Sequence, residues 1–447
     1  MSTTLTAAAD KISFREINRL AIPALLAGVV EPIISLTDLV IVGRIPFDKT
    51  EIIAAVGIAS SLISALTWIL AQTSSAISSI VARYLGNKRL FELDSLVVQT
   101  FIFSLLMSAV VTLTTKYFSV EIFKLYNANG KILSYAVEYF NIRVWGFPLS
   151  LITFTLYGVF RGLQNTVWSM YIGLAGGFLH IFLDIFLVFG VKGLIPPMNI
   201  EGAAYASLFT QILMFLVALY FFITKTPFKL RPGKYIHAEL FNLIKLSINL
   251  FFRAAALNFA FYLANRYATG YGKEQIAAHA IIANIFLFVA FVIDGYGNAG
   301  NAISGKLLGS KDFRKLWLLG IDLNKIVIAI AVGIMVICGV CYSFIGKLFT
   351  SDPHVLKLFY QTFWILLLML PINAVAFTFD AIYKGLGEAV FLRNLLIGAT
   401  FIGFIPALWL FDKLNMQLYG IWTAFTIFML YRAIGSYWKF KAKYLVS

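Results

Sequence analysis

The chain of 447 residues is 60% hydrophobic, with a mean hydropathy of +0.85, whereas soluble domains are near half apolar. This excludes a soluble protein, and apolar runs of twenty residues and more exclude a β-barrel, whose strands alternate over about ten residues. The formal net charge of +15 sits in short loops, where Lys and Arg set membrane topology, and no nucleic-acid-binding module accompanies it.

Twelve spans are predicted near residues 18–42, 53–83, 95–117, 134–160, 167–190, 202–224, 240–268, 276–305, 318–346, 356–383, 391–411 and 416–438. Met1 to Asn18 reads as a short polar lead-in without a cleavable signal peptide, so the first span acts as the targeting signal. That span, IPALLAGVVEPIISLTDLVIVGRI (Ile22 to Ile45), carries Pro23, Glu31, Pro32 and Asp38. A charge at the centre of a spanning helix costs roughly 2.5–3.5 kcal/mol on insertion scales, so both acids face protein or a water-filled cavity. Glu31 and Asp38 lie seven apart and share a helix face. Pro23 and Pro32 are the expected bending points. A polar stripe on a bendable helix points to a moving part that handles a cation.

His180 and Asp184 in the fifth span stand at i and i+4, on one face. The longest polar connection, Lys225 to Glu239, carries Pro, Gly and Lys and marks a linker between two halves, 1–224 and 240–447. Asp294 precedes a glycine-rich stretch, DGYGNAGNAISG, expected to be a turn that permits close packing or bending. Asp380 lies in the tenth span. Cys338 and Cys341 in the ninth read as buried thiols, neither a redox pair nor a metal site. Lys and Arg favour the N-terminal side of the membrane by about two to one, which puts both termini in the cytoplasm.

The halves repeat. LGNKR at Leu85–Arg89 returns as LGSKD at Leu308–Asp312, and FPLSLITFTLYGVFRGLQN as LPINAVAFTFDAIYKGLGE. Gly86 and Gly309, Pro148 and Pro371, and Gly162 and Gly385 share an offset of 223 residues. A fixed offset at three separated points marks an internal duplication. Six spans per half is an even number, so the halves are related by an axis along the membrane normal, with a cavity between two bundles.

The acids are the candidate chemistry. Asp38, His180 and Asp184 gather most simply inside the N-half, with Glu31 beside them, as an ion-coupling set. Burial beside a second carboxylate favours a protonated acid. The same carboxylates could hold Na⁺ instead, but imidazole suits softer metals than an alkali ion. Asp294 and Asp380 do not match Asp38 across the repeat. With Asn301, Tyr139 and Tyr157 they are candidates for the substrate cavity. An aromatic, partly acidic cavity suits amphiphilic organic cations.

On these residues the chain resembles the multidrug and toxic compound extrusion (MATE) family, and within it the DinF-like branch. The first span, GVFRGLQNT, HIFLDIFLVFG, IDGYGNAGNAISGKLLGSKD and FTFDAIYKGLGEAVFLRN are all similar to family segments, and the last two are the most specific to the branch. The resemblance implies an all-α fold of two pseudo-symmetric six-helix bundles forming a V around a central cavity. It implies antiport of organic cations and other amphiphiles against H⁺ or Na⁺. Carried over, Asp38 is the principal carboxylate, Asp184 its partner and Pro23 the bend point. There are three departures: His180 stands for the usual Asn, Asn301 where the branch often has Glu, and Ala381 where Gly usually follows Asp380.

The reading is a monomeric, H⁺-driven antiporter of the bacterial inner membrane, with no cofactor and with small amphiphilic substrates. The alternative is a lipid-linked precursor flippase, which would line its cavity with Arg and Lys. Arg143, Arg253 and Arg266 are outnumbered here by acids. No nucleophile–base set or H-E-x-x-H cluster supports an enzyme.

Overall fold

The computed structural model describes residues 12–191 and 193–445; the side chains of Glu31, Pro32, Ser35 and Leu36 also lie outside the described residues. The expectations placed on Glu31 and Pro32 therefore fall outside it. The described chain is helical, with no strand beyond one isolated bridge, Val191 to Ile195. Among the described residues eleven helices are long and apolar enough to cross a bilayer, and α1 (Phe14–Val42), at 29 residues, precedes them. They are α2 (Lys49–Gly86), α3 (Leu90–Tyr117), α4 (Gly130–Gly162), α5 (Val167–Phe189), α6 (Asn199–Lys225), α7 (Ala238–Gly270), α8 (Lys273–Gly309), α9 (Phe313–Val340), α10 (Pro353–Gly385), α11 (Ala389–Lys413) and α12 (Gln417–Tyr444).

The chain packs as two units: Leu26–Ile244, and Lys245–Ser447 with the described residues up to Leu25. Helix α1 therefore contributes to both. Ile17, Leu20 and Ala21 are buried in the core of the second unit, whereas Ala27 and Val30 lie against Gly173 of α5 in the first.

Membrane helices hide their small and polar faces from lipid, and α3 shows why its sequence does so. Thr100, Ser104, Ser108 and Thr112, spaced by four, are buried, while Leu106, Val110 and Leu113 are exposed. The hydroxyl of Ser104 meets that of Thr155 of α4 at 3.0 Å. Ser and Thr bond locally or to a neighbouring helix and let backbones approach, which lipid cannot reward.

The repeat is visible in packing. An added Cβ on Gly162 would stand 2.9 Å from the Ser78 carbonyl of α2. One offset on, a Cβ on Gly385 would strike the Asn301 carbonyl of α8. Lys88 and Lys311 both turn with φ 58°, and Gln164 and Gly387 with φ 61° and 72°.

The stretch DGYGNAGNAISG corrects an expectation: it is no turn but the interior of α8. Its glycines do serve the close packing expected of them. Gly295 lies against Leu25, and Gly300 against Leu323. Two prolines do interrupt helices. A 3₁₀ turn at Val144–Gly146 precedes Pro148 in α4, and a π turn at Ala399–Phe404 precedes Pro406 in α11. A proline gives no hydrogen bond to the carbonyl four residues back and crowds it, so the backbone reroutes there. Helix α1, by contrast, runs unbroken through Pro23.

Candidate functional site

Helix α5 prepares the site with glycine. Gly173, Gly176 and Gly177 continue into His180 and Asp184 on one face. Gly177 admits Val30 of α1, and Gly176 admits Met214 of α6. With α1 and α6 drawn close, the polar side chains one turn further along α5 meet the acid of α1. Ligand atoms of Asp38, His180 and Asp184 all lie within 4.8 Å of one another, and all three residues are 0% exposed.

Asp38 is well held. Its Oδ2 accepts from Arg143 at 2.9 Å and from the Tyr139 hydroxyl at 3.0 Å. His180 Nε2 lies 3.1 Å from its other oxygen. Arg143 also donates to Ser207 of α6 at 2.7 Å, and the same hydroxyl meets His180 Nε2 at 3.0 Å. Tyr139 and Arg143 are successive turns of α4, just before the break at Val144, so both reach one side. These bonds offset part of the desolvation cost at Oδ2, while Oδ1 has no hydrogen-bond donor besides the proximity of His180.

Asp184 is the opposite case. Neither of its oxygens has a hydrogen-bonding partner, nor does Nδ1 of His180. An ionised carboxylate without a donor is prohibitively costly in a buried site. A proton or a cation on Asp184 would remove that cost. Arg143 pairs with Asp38 and leaves Asp184 without a cation of its own.

The MatE family model matches residues 23–186 and 250–409. The chain belongs to the MatE family. Among relatives of this MatE protein, Protein DETOXIFICATION 43 of Arabidopsis thaliana is 26% identical over 306 residues, 68% of this chain and 56% of the relative. The chain thus spans little more than half of that relative's length. DNA damage-inducible protein F of Escherichia coli (strain K12) is 24% identical over 426 residues, covering 93% of this chain and 89% of its own. A crystal structure of a MATE protein in the bent conformation superposes with a TM-score of 0.89 at 20% identity, over 96% of this chain and 95% of the other. The fold is the twelve-helix MATE fold, and family members are membrane transporters of small organic compounds rather than enzymes, with no cofactor needed.

The remaining expected residues of the MatE chain are placed as follows. Tyr139 is fully buried on Asp38 rather than free to meet a ligand. Tyr157 of α4 is half-buried, edge-on to Phe154 at 6.0 Å. Asn301 is buried, and its carbonyl faces Gly385. Asp294 is exposed and accepts from Asn298 at 3.4 Å. Asp380 belongs to a second buried cluster, in the unit of Lys245–Ser447. Arg253 donates to both its oxygens, Lys384 follows at 3.1 Å, and Arg432 stands at 3.8 Å. Arg432 also lies over the rings of Phe377 and Phe428. A desolvated cation–π contact is worth about 2 kcal/mol, less than the several kcal/mol of removing each ion from water.

Sequence reasoning missed Ser207, Lys384 and Arg432 as site residues. Ser207 sits among small residues, GAAYAS, and gives no signal. Arg432 was detectable, because an arginine deep in the last span is as costly as an acid in the first.

Proposed function

We propose that the chain is a secondary antiporter exporting amphiphilic organic compounds, cations among them, in exchange for H⁺. The observation that carries this reading is Asp184: a buried carboxylate with no donor on either oxygen, beside a carboxylate already neutralised by Arg143. Loss of its proton would leave two carboxylates facing one guanidinium; gain of a proton would restore balance. That change of one buried charge is the free-energy difference that can bias two conformations of α1. Pro23 remains the candidate point at which α1 would yield. Na⁺ is the weaker reading, because Arg143 repels a second cation and one of the three available ligands is an imidazole. We take the protein to act as a monomer in the bacterial inner membrane with both termini in the cytoplasm.

The test is efflux of a fluorescent cation from proteoliposomes under a pH gradient and, separately, a Na⁺ gradient. A pH gradient alone should drive wild type, and Asp184→Asn should abolish that drive while the protein stays monodisperse. Drive by Na⁺ alone would refute proton coupling. No efflux of any cation by a folded protein would favour the flippase.

A further inference from the structure

The unit of Lys245–Ser447 buries more positive charge than it compensates. Arg253 of α7 takes both Asp380 oxygens, at 2.8 and 2.6 Å. Lys384, one turn along α10 from Asp380, reaches it at 3.1 Å. The carboxylate is then occupied. Arg432 of α12 comes third at 3.8 Å, beyond hydrogen-bond range. It is 1% exposed. Its Nη1 donates to the Met429 sulfur at 3.1 Å, a weak acceptor, and its Nη2 has no acceptor at all. Phe377 and Phe428 flank the guanidinium at 5.2 and 5.4 Å, which offsets only part of its desolvation. Even with Asp294, whose charge reaches Lys384, three cations meet two carboxylates.

We propose that Arg432, with Arg253 and Lys384 beside it, binds the carboxylate or phosphate group of an amphiphile. A guanidinium presents a planar fork of donors that suits either oxyanion, and Nη2 is the donor left over. The partly buried ring of Phe377 offers apolar surface next to the charge, for the part of the molecule that follows the head group. Lys384 is the least buried of the three cations, its side chain 15% exposed against 8% for Arg253 and 1% for Arg432. It is the charge an entering anion meets first. The site shares no residue with the cluster of Asp38, His180 and Asp184, and it does not depend on which ion drives transport.

The purified full chain in detergent is titrated with a fluorescent long-chain carboxylate and with the matching long-chain amine. No ion gradient is present, so the outcome stands apart from the coupling reaction. The carboxylate should bind at least about tenfold more tightly. Arg432→Gln should weaken it by about tenfold or more and leave the amine unchanged, and Arg432→Lys should restore part of the loss. If Arg432→Gln fails to fold, Lys384→Gln is read in the same way, with a loss of severalfold. Equal binding of the two probes, or carboxylate binding indifferent to the substitutions, overturns the site. Repetition in phosphatidylcholine nanodiscs with and without phosphatidylglycerol separates the sources. Competition by phosphatidylglycerol identifies a lipid head group as occupant, and its absence a solute; either result upholds an anion site.

Discussion

Arg143 holds Asp38 while Asp184 stands alone, and the two acids respond oppositely to substitution. Arg143→Met removes the cation from a fully buried carboxylate and should cost about 3–5 kcal/mol. The double variant with Asp38→Asn should recover most of that loss, because no uncompensated charge remains. Asp184→Asn deletes a carboxylate that has no donor, so it should melt no lower than wild type near neutral pH. Thermal unfolding of the detergent-solubilised protein measures all three. A melt of Asp184→Asn well below wild type would mean that the carboxylate is paired after all. The acids themselves were legible in the sequence, since a charge in an apolar span announces itself. Ser207, which ties Arg143 to His180, was not, because a serine in a helix costs little wherever it points.

At the scale of the element, the small residues do the positioning. Gly162 and Gly385 hold their helices against the backbones of α2 and α8, one offset apart. The obstructing atoms include carbonyl oxygens, which cannot rotate away as a flexible side chain would. Gly162→Ala and Gly385→Ala should each destabilise by about 1–3 kcal/mol, the usual cost of overpacking. Gly57→Ala, where a Cβ meets nothing within 4 Å, is the matched control and should be neutral or mildly stabilising. Melting temperatures of the three variants decide the point; equal shifts would show that close approach is not what these glycines provide. The glycine pattern was visible as a repeat, and close packing was the expected use at DGYGNAGNAISG; only the turn was misread there. Glycine is a poor helix former in water, yet in a bundle the gain from close packing outweighs that preference.

For the whole molecule, the excess of Lys and Arg on one side predicts orientation. With Cys338 and Cys341 replaced by Ser, Lys234→Cys in the connection after α6 should resist an impermeant maleimide in intact cells and react in inverted vesicles. Tyr126→Cys, between α3 and α4 and 45% exposed, should do the reverse. The opposite labelling pattern would invert the topology.

Sequence alone determined the class of molecule, the internal repeat, the count of spans and where charge is buried in them. These follow from local and periodic properties: hydropathy over twenty residues, a fixed offset, a charge where none is cheap. Only the tertiary structure decided which acid is neutralised and which is left over. That depends on how α1, α4, α5 and α6 are rotated and seated against each other, a matter of ångströms set by packing. The same holds for Asp380, whose two oxygens go to Arg253 and leave the guanidinium of Arg432 without an equal partner. Charge in a buried site is balanced across helices, and no single stretch of chain contains that sum.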